Sequence, residues 1–152
     1  MKNNENKNLC SECGGRCCKK MAGIIFPQQL KEITVNNLSK MIQDGYCFDY
    51  WEGNPTTDDE NEEKTAYFLR AKHKGYEFDV VDPSWGGECV FLTEIGCKLD
   101  FYNRPFMCQA LIPKEDYKCK ISEEYTKQTA SVAWLPFNEI IKEVIDNQNQ
   151  NL

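Results

Sequence analysis

Nine cysteines stand in a chain of 152 residues, and seven of them fall into two groups. Cys10, Cys13, Cys17 and Cys18 are spaced C-x2-C-x3-C-C within CSECGGRCC; Cys89, Cys97 and Cys108 form a second set that begins 71 positions after Cys18. A C-x2-C turn aims two thiolates at one point, which is half of a zinc or iron–sulfur site. Successive side chains diverge, so Cys17 and Cys18 suit two different metal atoms, or one ligand and one packed thiol. A single structural zinc needs four ligands. Seven thiols exceed that number, and a polynuclear zinc site or an iron–sulfur cluster is the chemistry expected of them. Gly14 and Gly15, Gly86 and Gly87, and Gly96 permit the close backbone approach that such a site requires. Arg104, in an Arg-Pro step, offers a fixed positive charge that offsets repulsion between thiolates and lowers their pKa.

The composition sets the surroundings of that chemistry. Eighteen basic and 24 acidic side chains give a formal charge of −6, which argues against non-specific binding to nucleic acid or to an anionic membrane. Hydrophobic residues make up 41%, enough for one modest core. The chain shows neither a secretory leader nor a run of roughly 18 apolar residues, so a cytoplasmic, reducing location is expected. Thiols there act first as metal ligands or redox groups. An odd cysteine count also prevents complete internal disulfide pairing.

The elements that must position these thiols read as a small α+β domain. Its parts are a short antiparallel sheet, three or four helices, and cysteine-rich loops around a metal site. Residues 1–9 are expected to be a flexible N-terminus, 10–147 the cysteine-cluster domain and 148–152 a flexible tail. Leu30, Ile33, Leu38, Met41 and Ile42 predict a helix over residues 27–44, opened by Pro27 and stopped by Gly45. Tyr46 to Trp51 reads as a strand. The run at 53–64, with five carboxylates, lacks the ligand order of an EF-hand and reads as a solvated loop. Thr65–Ala71 and Tyr76–Val81, joined by KHKG, predict a hairpin. Cys89–Leu92 reads as a further strand, with a short helix after Pro105. Ser122 is expected to cap a helix running to Trp134. Pro136 opens a last helix with Phe137, Ile140, Ile141, Val144 and Ile145 on one face.

The remaining chemistry-bearing residues have plainer readings. Cys47, inside YCFDYW, is expected to be a small buried hydrophobe. Cys119, between two lysines, is an exposed thiol or an eighth ligand. His73, the only histidine, is expected to be exposed in its lysine-flanked turn. A lone histidine also weakens a facial-triad iron site, which needs two. The aromatic residues of 46–51 and Trp85 are expected in the core. No nucleophile elbow supports a serine hydrolase.

Taken in order, CSECGGRCC, GECVFLTEIGC and NRPFMC resemble the signature of the CxxCxxCC family, the YkgJ-like zinc- or iron-chelating cysteine-cluster domains. The four parts of that pattern are a paired-cysteine loop, C-x-F-L, Gly-Cys and R-P-x-x-C. They occur here from residue 10 to about 113, roughly two thirds of the chain. The resemblance implies metal-ligand roles for Cys10, Cys13, Cys17, Cys18, Cys89, Cys97 and Cys108, and a structural or electrostatic role for Arg104 and Pro105. Gln109 stands where the family often has arginine, and Ile112–Pro113 only loosely matches the usual aromatic-Pro ending. The implied function is binding of zinc or an iron–sulfur cluster, with no assigned substrate or protein partner. Flagellin lysine N-methylase, a longer protein with a similar cluster, supplies an enzymatic alternative, but this chain lacks a glycine-rich nucleotide loop after a strand. Metal trafficking is a further alternative.

Overall fold

The computed structural model describes residues 22–56, 65–84, 86–110 and 124–150. The central element is a three-stranded antiparallel sheet of β1 (Ile24–Ile25), β2 (Tyr46–Glu52) and β3 (Thr65–Ala71), ordered β1-β3-β2. A second, two-stranded sheet pairs β4 (Leu92–Thr93) with β5 (Gly96–Cys97). Four helices accompany them among the described residues: α1 (Val35–Gln43), α2 (Phe106–Gln109), α3 (Lys127–Trp134) and α4 (Asn138–Gln150). The protein is α+β.

Alternation along β2 and β3 decides what the sheet buries. Phe48 opposes Leu69, and Cys47 opposes Arg70 on the other face. Phe48, Phe68 and Leu69 are fully buried, together with Ile24, Leu38, Trp134, Ile141 and Val144 from the flanking elements. Trp134 is tied down as well as packed, since its Nε1 donates to the Ile25 carbonyl at 2.8 Å. β1 reaches only Leu69 and Arg70 of β3. Beyond it the Asn138 amide continues the ladder, accepting from Tyr67 N at 3.2 Å and donating to Thr65 O at 2.9 Å. A side-chain amide satisfies the backbone groups that a longer strand would have paired.

Several expected elements differ from those found. The helix expected over 27–44 is split: Pro27–Gln29 is a 3₁₀ turn, Leu30 is extended, and α1 starts only after Thr34. Ile33, Thr34 and Val35 are consecutive β-branched residues, poor for a helix interior, and the Thr34 hydroxyl caps the helix by accepting from Asn37 N at 3.1 Å. The hairpin expected between Thr65–Ala71 and Tyr76–Val81 does not form. β3 pairs with β2 instead, and residues 73–79 fold into turns closed by Tyr76 N to His73 O and Asp79 N to Tyr76 O, both 3.1 Å. Val80 and Asp82 then run beside β2, bonding the Phe48 N–H and C=O at 2.8 and 2.9 Å.

Cys89–Leu92 is a turn, closed by Leu92 N to Cys89 O at 3.1 Å, and the strand begins at Leu92. The later helix is capped by Thr126 rather than Ser122, with Thr126 and Thr129 exchanging side-chain and backbone bonds of 2.9 and 3.1 Å. Pro136 lies in a 3₁₀ turn just before α4, which runs to Gln150, past the expected domain end at 147. The short helix after Pro105 forms as α2. No helix among the described residues is long and apolar enough to cross a membrane.

Candidate metal centre

Cys10, Cys13, Cys17, Cys18 and Cys119 lie outside the described residues, as do Trp85 and most of the acidic run. The other three expected ligands are described. Cys89 is a buried free thiol, Cys97 a partly buried one, and Cys108 is partly buried. Among the described residues, no group of three His, Cys, Asp or Glu is arranged to hold a metal ion by itself.

Each thiol has a distinct anchor. The segment carrying Cys89 is laid against residues 72–74: Lys74 N donates to Glu88 O at 2.8 Å and Val90 N to Lys72 O at 2.9 Å. The backbone N–H groups of Phe91, two residues on, and of Gly23 favour the Cys89 thiolate. Cys97 sits on β5 opposite Leu92, and Leu99 N, again two residues on, donates to its Sγ at 3.4 Å. Arg104 Nε holds the carbonyl of that same Leu99 at 2.9 Å. Arg104 therefore supports the Cys97 turn through the backbone.

Cys108 is on α2, its N–H bonded to Pro105 O at 2.9 Å. The turn before it is sewn to β1 by Gln29, whose Oε1 accepts from Phe26 N at 3.0 Å and Phe106 N at 2.8 Å. Gln29 Nε2 and Gln109 Nε2 both donate to Arg104 O, at 3.1 and 2.8 Å. Gln109, where the resemblance leads one to expect arginine, is thus a buried backbone clamp.

Gly23 brings the two ends of this arrangement together. Its N–H favours the Cys89 thiolate, and a Cβ built on it would stand 2.2 Å from Cys108 Sγ. Tyr46 feels all three thiols: burial first, then Cys89, Cys108 and Cys97, push its phenol up to about 12. Burial, with Cys97 nearby, likewise pushes the Cys89 thiol up, against the two N–H donors that favour the thiolate.

His73 is not the exposed turn residue expected. It is 2% exposed, because its backbone pairs with Cys89 and draws the ring inward. Its Nε2 accepts from Ala22 N at 3.2 Å, which places the proton on Nδ1, 2.9 Å from Ser84 Oγ. Both nitrogens are thereby used, leaving no lone pair for a metal. Ser84, His73 and Asp82 include the residue types of a hydrolytic triad but not its geometry. Serine and aspartate (Oδ2 at 3.7 Å) face the same nitrogen.

Behind His73 lies a buried charged network that the sequence reading missed. Arg70 Nε contacts Asp49 Oδ2 and Nη2 contacts Asp82 Oδ2, each at 3.1 Å. The Asp-Pro-Ser step is its one sequence signal, since Ser84 N donates to Asp82 Oδ1 at 2.9 Å in an Asx turn. Cys47, opposite Arg70, is fully buried as expected, and burial holds its thiol neutral, up to about 12.

No protein-family model matches the chain, and no match is found among curated proteins or solved structures. The resemblance to the cysteine-cluster domains rests on the motifs themselves.

Proposed function

We propose that this chain is a metal-binding protein. Cys10, Cys13, Cys17, Cys18, Cys89, Cys97 and Cys108 together hold zinc or an iron–sulfur cluster in the reducing cytoplasm. The observation that carries the reading is the seating of the Cys108 sulfur against Gly23, where a Cβ would stand 2.2 Å from it. Residue 108 belongs to a later motif, whereas Gly23 follows Cys18 by only five positions. An extended chain covers at most about 3.6 Å per residue, so Cys18 is tethered within about 18 Å of that contact point.

The donor set also suits the group. The backbone N–H of Leu99, two residues beyond Cys97, points at its sulfur, an arrangement that stabilises thiolate charge. The bare Gly23 leaves room that the Cys108 sulfur occupies. Bound metal would cross-link the amino-terminal loop to the β4–β5 turn and α2, and its binding energy would become folding energy, of order 10 kcal/mol for structural zinc.

Anaerobic purification followed by metal analysis and an absorption spectrum tests this. Stoichiometric zinc in a colourless protein, or iron with a broad band near about 400 nm, supports it. A strong chelator, or Cys13→Ser, should then lower the melting temperature clearly. Absence of bound metal together with an unchanged melt would refute the proposal.

A further inference from the structure

Gly23 meets the Cys108 sulfur from a backbone that has little freedom to move. Its carbonyl accepts from Ala71 N on β3 at 3.0 Å. The residue before it, Ala22, is fully buried and bonded through its N–H to His73 Nε2. The His73 ring is fixed in turn by Ser84 on one side and by Gly87 on the other, where a Cβ would stand 2.8 Å from the ring. Opposite, Pro105 Cγ lies 3.0 Å from the position of a Gly23 Cβ, and the turn that holds it is clamped by Gln29.

Gly23 is not among the glycines with positive φ, so its backbone conformation suits any residue. What excludes a side chain there is the Cys108 sulfur and Pro105.

We infer that Gly23 is a positioning residue for the metal site: pinned through Ala71 and His73, it yields its side-chain space to the Cys108 sulfur and so sets where that sulfur stands. The inference rests on the metal-binding proposal and adds to it the residue that seats one of the thiols. His73 acts one step further out, by holding Ala22, and contributes no metal ligand.

Cobalt(II) titrated anaerobically into the reduced full chain is the test, read by the thiolate-to-cobalt charge-transfer and d–d bands beside a far-ultraviolet melt. The wild-type chain should bind with sulfur charge transfer. Gly23→Ala should retain its secondary structure but bind about tenfold or more weakly, the usual cost of losing a supporting contact, with shifted d–d bands. Should Gly23→Ala fail to fold, His73→Gln carries the test through the same spectra, with weaker binding and shifted bands expected. Wild-type chain without sulfur-to-cobalt charge transfer overturns the metal reading itself. Wild-type binding matched in affinity and spectrum by the folded variant overturns the role of Gly23 alone.

Discussion

Replacing Arg70 with methionine tests how the buried charge behind the thiol site is balanced. The guanidinium is 3% exposed and donates to Asp49 Oδ2 at 3.1 Å, Ala71 O at 2.9 Å and Asp82 O at 2.6 Å. It also stands 3.1 Å from Asp82 Oδ2, a buried atom that no hydrogen bond satisfies. Methionine fills much of the stem volume but leaves two carboxylates buried without their cation. Breaking a buried pair in this way costs about 3–5 kcal/mol. Total stabilities of about 5–15 kcal/mol make that a large fraction.

The pH dependence has a definite sign. Burial raises the Asp82 carboxyl, but the Ser84 backbone and side chain and then Arg70 outweigh it and hold the group below its ordinary 3.8. The resulting stabilisation is fully present above 3.8 and lost as pH falls through the lowered folded value. Without Arg70 the carboxyl is buried unpaired, and its folded pKa rises instead. The deficit of Arg70→Met should therefore be greatest near neutral pH and shrink on acidification, by about 1.4 kcal/mol for each unit by which the pKa has risen.

Urea unfolding of both proteins at pH 7.5 and 4.5, followed by tryptophan fluorescence, measures this. Both retain all nine cysteines, so shared thiol and metal contributions largely cancel in the difference. A deficit below about 1 kcal/mol at neutral pH, well under the expected cost, would refute the reasoning. So would a deficit that grows in acid.

Four other outcomes are expected. Trp134→Phe should lose about 1–3 kcal/mol, since Ile25 O loses its 2.8 Å donor in a fully buried place; denaturant midpoints check it. Gly87→Ala should lose about 1–3 kcal/mol or more, because φ is +148° and the new Cβ meets the His73 ring at 2.8 Å; an unaltered melt would contradict that packing. Cys47→Ala should cost about 1 kcal/mol while leaving the metal-to-protein ratio unchanged, and loss of metal would make Cys47 a ligand. Burial, then Arg70, lowers the His73 pKa, so its neutral form stabilises the fold above the ordinary 6.5 and stability declines as pH falls below that value. His73→Gln should flatten that part of the stability–pH curve.

The strong local signals were legible in the sequence. The aromatic alternation of 46–51 gave β2, the Pro105 step gave α2, and the apolar spacing after Pro136 gave α4 with Ile141 and Val144 buried. Local rules failed where a distant partner took over the backbone. KHKG reads as a hairpin turn, but Glu88 O and Gly45 O take the N–H groups of Lys74 and Lys72, so Tyr76–Val81 goes to the far side of β2. Helix spacing over 27–44 was overridden at its start by Gln29, whose side chain serves Phe26 and Phe106 at once.

The sequence by itself determined which side chains are available for chemistry and in what order they come: nine thiols, one histidine, and the glycines and arginine beside them. Tertiary structure alone decided their environments. It turned His73 inward and used up both its nitrogens, buried Arg70 between Asp49 and Asp82, and set Gly23 against Cys108. The physical reason is that residue type and spacing act along the chain. Burial, hydrogen-bond partners and steric room are set by residues tens of positions away, which meet only when the sheet and its connecting segments pack.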